Sequence, residues 1–304
     1  MRSFLKRLRL QSDLLSRYLA WAVSACPFFL EPVLVIFYTA LFWTVAAPPR
    51  RAVQDNIRAI NPDLSKAAVW WGSFRVFLNF AWTCVDAERA RDGAQGFHWE
   101  IEGAELFDEV ADLDSGALLL TAHMGNYDVA AAAFADRFGR KVHAVRAPEP
   151  TVELQNFRQA ELARTAGDSL TIAYNTTEGL LGIDLIRALG EGEVVAIQGD
   201  RVMFDVSPTT CSFGGDVRLR VPFGPFVLAM TSRVPILPLF VLRIGMRHYR
   251  IVCGEMFHCV RTGRDKQVDL DRALEHWGGV LEKIVRENWD QWFVFEPAFE
   301  TTKK

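Results

Sequence analysis

The stretch Gly116–Phe134, GALLLTAHMGNYDVAAAAF, constrains the fold more than any other part of the chain. Gly116 to Ala122 is a short apolar run, which reads as a strand buried on both faces. Asn126 to Phe134 is rich in alanine and reads as a helix. Few residues are left for the turn, and His123 lies in it, just past the strand end. Asp128 follows five residues later, on the first turn of the helix. A carboxylate there can accept from one imidazole nitrogen and fix the tautomer, leaving the other nitrogen free to take a proton. The same spacing also fits a structural strand–turn–helix with a satisfied histidine and a capping carboxylate.

The chain around this stretch alternates in the same way. Strands are predicted at Lys141–Val145, Leu170–Ala173, Val194–Gln198, Pro235–Leu242 and Tyr249–Cys253, the last two as a hairpin around Gly245. Helices are predicted at Val152–Thr165, at Glu178–Leu189 with Gly190 as its C-cap, at Phe223–Thr231 and at Asp269–Asn288. The last carries Leu270, Leu274, Trp277, Leu281, Ile284 and Val285 on one face. The pattern predicts an α/β fold, a central mixed sheet covered by helices on both faces. Functional residues in such sheets gather at the carboxyl ends of strands. His123 sits at one such end and Asp200-Arg201 at another, within IQGDR. An arginine there can grip a phosphate or carboxylate bidentately, and Asp200 can hold it in place; a structural ion pair is the plainer reading. Arg146, at the end of a third strand, is another anion contact. Arg158 and Arg164 suit a solvated helix face.

The first 49 residues differ in character. Arg2, Lys6, Arg7, Arg9 and Arg17 face one acid, Asp13, which suits an anionic membrane surface. Tyr18–Ala47 holds a single charge, Glu31. It is long enough to cross a hydrocarbon core of ~30 Å, but Pro27, Pro32 and Glu31 divide it into two shorter apolar helices, in the interface or packed on the protein. Residues 1–49 are therefore expected to be a membrane-associating helical segment, and 50–304 the catalytic domain. Arg50–Arg91 reads as amphipathic helix broken at Asn61-Pro62-Asp63, with Pro62 and Asp63 starting a new helix.

A net charge of −3 argues against non-specific nucleic-acid binding. Five scattered cysteines without a CxxC read as reduced thiols of a cytoplasmic protein. None of the six histidines stands at HxxxH or HExxH spacing, and no GxSxG elbow, P-loop or GxGxxG occurs, so no metal or nucleotide cofactor is expected. With no nucleophile of its own beside it, His123 would activate a hydroxyl or water from outside, which favours direct transfer between two bound substrates.

The block TAHMGNYD, Thr121–Asp128, matches the H-x4-D/E motif of the glycerolipid and lysophospholipid acyltransferases. More closely, from about Phe4 to Phe299, the chain resembles the bacterial lipid A late acyltransferases, the lauroyl/myristoyl transferases. The likeness takes in Asp55-Asn56, VHAVRAPEP with Arg146, GEGEVVAIQGDR, and VPFGPFVLAMTSRVPILPLFVLR. The resemblance implies a membrane-associated O-acyltransferase at the cytoplasmic side of the inner membrane. It would move a fatty acyl group from acyl carrier protein or coenzyme A to a lipid or glycolipid hydroxyl, with the thioester as co-substrate. His123 would be the general base, Asp128 its partner, and Asn126, Arg146, Asp200 and Arg201 substrate contacts. A lipid or thioester hydrolase, and a lipid-binding protein, are the alternatives on the same fold. Glu296 and Pro297 stand where the resemblance leads one to expect arginine, which implies a less phosphorylated acceptor.

Overall fold

The computed structural model describes residues 21–300 except 24, 92–95, 149–150, 153–154, 157–158, 160–166, 176–179, 203–206 and 264. The basic run before Tyr18 and most of the helix expected at Val152–Thr165, with Arg158 and Arg164, lie outside the described residues.

Among the described elements, helices α1 (Glu31–Val45), α2 (Ala47–Ile60) and α3 (Lys66–Ala90) precede the sheet. Then follow β1 (His98–Glu102), α4 (Ala104–Ala111), β2 (Ala117–Thr121), α5 (Tyr127–Phe134), β3 (Val142–Arg146) and β4 (Leu170–Tyr174). The second half holds α6 (Leu181–Gly190), β5 (Val194–Gln198), β6 (Pro208–Ser212), β7 (Arg218–Pro222), α7 (Gly224–Ser232), β8 (Pro235–Gly245), β9 (His248–Cys253), β10 (Phe257–His258) and α8 (Lys266–Glu287). The main sheet runs β1-β9-β8-β2-β5-β3-β4, with β10 on β8. Pairing is parallel from β8 through β2, β5 and β3 to β4, and β9 lies antiparallel to β8. The mixed α/β sheet expected from the alternation is therefore present.

β2 lies between β8 and β5, and its alternate residues feed the two layers. Leu118 and Leu120 pack with Trp277 of α8 and Phe240, and Ala117 and Leu119 with Phe107 of α4, Val194 and Tyr249. All six apolar residues expected on the inner face of α8 are buried. Each such side chain contributes roughly 1.5–3 kcal/mol on leaving water.

Several boundaries differ from expectation. After Asn61-Pro62-Asp63 the new helix begins at Lys66, because Ser65, not Asp63, caps it by accepting from the Ala68 N–H. Helix α6 runs through Gly190, and the left-handed turn falls two residues later, at Gly192 with φ +83°. The β6–β7 hairpin was not expected; its strands hold Thr, Ser and Arg rather than an apolar run.

The charge in the apolar amino-terminal segment has a clear role. Glu31 is buried, and its carboxylate pairs with Arg89 of α3 at 2.9 Å and with Arg247 at 3.1 Å. With Val35, Thr39 and Trp43 it forms the inner face of α1. Among the described residues no single helix is long and apolar enough to cross a membrane; α1 and α2 reach that length and composition only as a pair bent by 94°.

The strand-to-helix reversal after β2 requires Gly125. Its φ is +53°, and a β-carbon there would lie 2.2 Å from the Val241 carbonyl oxygen on neighbouring β8. Gly139 has a similar φ, +60°, but open space around it. Gly125→Ala should therefore cost roughly 2–4 kcal/mol, adding overpacking to left-handed strain, against roughly 1–2 kcal/mol for Gly139→Ala. Chemical denaturation of the two variants checks this; equal losses would mean that β8 moves aside freely.

Candidate active site

β2 and β5 are adjacent and parallel, with Thr121 opposite Gln198. His123 and Asp200 each lie two residues beyond that pair, so the register brings them level at the carboxyl edge of the sheet. The ladder extends one step further, from the Gly199 N–H to the Thr121 carbonyl at 2.8 Å, and the Trp277 indole donates to the Gly199 carbonyl at 2.8 Å.

The partner of the histidine is Asp200. His123 Nδ1 is 2.7 Å from Asp200 Oδ1, and the backbone N–H of His123 donates to Oδ2 at 2.9 Å. The Trp292 indole N–H donates to the same Oδ2 at 2.9 Å. Asp200 is completely buried. Burial works to raise its pKa, but the charge and hydrogen bonds of His123, and then the charge of Arg201, more than offset this and hold it below the ordinary carboxyl value. An ionised Asp200 requires the proton on Nδ1. On the other side of the ring, Arg201 Nε donates to His123 Nε2 at 3.1 Å, which requires a lone pair there. The two contacts specify one tautomer, with Nε2 basic.

This corrects the pairing expected from spacing. Asp128 is on the first turn of α5, where its carboxylate accepts from the Arg146 guanidinium. The helix points Asp128 toward the end of β3, while the register of β2 and β5 gives His123 a closer carboxylate from another strand. Asn126, expected as a substrate contact, is buried. It caps α5 by accepting from the Val129 N–H at 3.3 Å and donates to the Thr83 carbonyl at 3.2 Å. Tyr127 meets the His123 ring edge-on at 5.9 Å. Burial, and then the nearby Asp128 charge, push its hydroxyl up to about 12, so it stays protonated beside Gln198.

The carboxyl-terminal segment completes the site. Glu296 pairs with Arg201 at 3.1 Å. Asn56 of α2, buried, holds that segment by donating to the Val294 and Glu296 carbonyls at 3.1 and 2.9 Å and accepting from the Ala298 N–H at 3.1 Å. The Phe293 N–H donates to the His123 carbonyl at 2.8 Å. Trp292 was not found from sequence. No spacing rule connects it to a residue 92 positions earlier.

A cleft of about 350 Å³ opens at His123, lined also by Arg146, Arg201, Asn175 and Gln198 and by apolar residues of α6 and α7. It shares Val145, Arg146, Ile197 and Gln198 with a narrow, mainly apolar slot of about 100 Å³ between α5 and the sheet. Ala130, Ala131, Phe134 and Phe138 form part of that slot, and Tyr127, Asp128 and Arg146 stand at its polar end.

The family model for bacterial lipid A biosynthesis acyltransferase matches residues 5–301. The chain belongs to this family. The match spans nearly the whole chain and identifies it as an acyltransferase. Comparison with individual curated proteins gives no match.

The state of Asp200 has a consequence for stability. Because its folded-state pKa is depressed, its contribution is complete above the unfolded value of ~3.9 and is lost as pH falls through the lower folded value. Asp200→Asn should therefore flatten the acid limb of the stability–pH curve. Denaturant titrations between pH 3 and 8 measure this, and an unchanged acid limb would show that Asp200 carries no depressed titration.

Proposed function

We propose that the chain transfers a fatty acyl group from an acyl thioester, on acyl carrier protein or coenzyme A, to a hydroxyl of a lipid or glycolipid such as a lipid A precursor. The observation that carries this reading is the basic Nε2 of His123, fixed from behind by Asp200 and facing a cleft that shares wall residues with an apolar slot. The acceptor hydroxyl displaces Arg201 Nε from Nε2. Its oxygen attacks the thioester carbonyl as Nε2 takes its proton, and Asp200 stabilises the imidazolium. Arg201, released by a small shift, meets the charge developing on the carbonyl oxygen. The C–S bond then breaks, and the imidazolium returns its proton to the leaving thiolate. Ester and free thiol are the products. The reaction needs no metal or further cofactor.

The shape of the site supports two substrate positions. The apolar slot suits the acyl chain. The cleft, with Arg146 and Arg201, suits the acceptor head group, and Glu296 on Arg201 spends part of that cationic capacity inside the protein. This favours an acceptor with few phosphates. The exposed face of α1 carries Val33, Ile36, Phe37 and Leu41, and Phe28 and Phe29 precede it, also exposed. That surface suits insertion among lipid head groups at the cytoplasmic face of the inner membrane, with Glu31 and Arg89 tying the helix to the domain.

His123→Ala should lower kcat by ~10²–10⁴ and leave vesicle binding intact. Assay with acyl thioester and lipid acceptor tests this, and wild-type turnover would remove His123 from the reaction. Ala131→Leu places a larger side chain in the slot and should shift the preferred acyl chain to shorter lengths. Product mass spectrometry reads the shift, and an unchanged chain-length profile would exclude the slot as the acyl site.

A further inference from the structure

Helix α7 separates two clefts. Gly224, Pro225 and Leu228 face the His123 cleft. Val227, Met230 and Thr231, toward the other end of a helix about 13 Å long, line a second one of about 740 Å³. This cleft contains Arg233, His258, Arg261 and Lys266, and no carboxylate stands among the described residues that line it.

The charges there are uncommitted. Elsewhere among the described residues most arginines face a carboxylate. Arg233, Arg261 and Lys266 are exposed and form none of the ion pairs found among the described residues. Two acids close to Lys266 in sequence are already engaged by hydrogen bonds, Asp269 with Thr262 of the cleft wall itself. Asp265 caps α8 through the Gln267 N–H at 2.9 Å. Asp269 is buried and accepts from the Thr262 N–H at 2.9 Å, the Thr262 hydroxyl at 2.5 Å and Arg272 at 3.3 Å. Like charges gathered around a hollow repel one another unless an anion joins them.

A second observation concerns the backbone. Arg233 follows α7 at φ +57°, a left-handed position where glycine is the unstrained choice. Here an arginine occupies it, at the rim of the cleft, so backbone ease is given up where a cation is gained.

We propose that Arg233, Arg261, Lys266 and His258 form a second ligand site, for the phosphate group of a phosphate ester. Two or more guanidinium and ammonium groups around one hollow match the charge and the several acceptor oxygens of phosphate. Val227, Met230, Val234 and Leu270 supply an apolar wall for the remainder of the ligand. The site is separate from the reaction at His123 and stands whether or not the proposed reaction is correct.

The test uses the full chain in neutral detergent, with glycerol 3-phosphate and lysophosphatidic acid as probes and glycerol and monoacylglycerol as uncharged controls. Calorimetry should show binding of at least one phosphorylated probe and of neither control. Binding of both would mean that the phosphate group suffices; binding of lysophosphatidic acid alone would identify a lipid head group; either supports the site. Arg233→Gly relieves the backbone, so its Tm should equal or exceed that of the wild type, while phosphate-ester binding weakens at least about tenfold. Arg261→Gln should weaken binding similarly, and Arg201→Gln should leave it unchanged. Absence of binding by both phosphorylated probes, full binding by Arg233→Gly, or loss in Arg201→Gln instead would overturn the proposal.

Discussion

A buried carboxylate is tolerable only when its charge and lone pairs are met, and Asp200 is met from three parts of the chain. The turn after β2 supplies the His123 N–H and ring, the residue after Asp200 supplies the Arg201 charge, and the carboxyl-terminal segment supplies the Trp292 indole. That constellation sets the tautomer of the histidine, and it also joins β2, β5 and the end of the chain at one edge of the sheet. Removing one partner would leave a charge in a place with no water to replace it.

The rest of the fold serves this edge. Gly125 lets the chain turn against β8 directly after the histidine, and Asn126 starts α5 at once, so the ring has no slack behind it. Asn56 holds the segment that carries Trp292 and Glu296, so helix α2, far away in sequence, positions the partners of Asp200 and Arg201. Glu31 ties α1 to Arg89 and Arg247, the second of these in the turn between β8 and β9. An apolar helix that would contact lipid is thereby fastened to the strand whose neighbour bears the histidine.

Much of this was legible in the residues, for physical reasons that differ from element to element. β2, β5 and α8 announce themselves by uninterrupted or periodic apolar residues. His123, Asp200, Arg201 and Arg146 were identifiable as strand-end residues, and the structure brings His123, Arg201 and Arg146 around one cleft with Asp200 buried behind the ring. Which carboxylate pairs with the ring was not legible. Asp128 is close in sequence, but the helix turns it toward Arg146; Asp200 is close only through the register of β2 on β5, which neither strand specifies alone. Trp292 and Asn56 were hidden for the same reason, since their contacts span 92 and about 240 positions. The β6–β7 hairpin escaped because β6 is mostly polar and the alternation in β7 spans only Arg218 to Val221.

The central claim is that Asp200, not Asp128, holds the proton on Nδ1 and leaves Nε2 basic. Nitrogen-15 NMR of the His123 ring, in protein labelled only at histidine, reads this directly. The account predicts the Nδ1–H tautomer in the wild type and in Asp128→Asn, and its loss in Asp200→Asn. An Nε2–H tautomer in the wild type, or a ring that responds to residue 128 and not to residue 200, would contradict it.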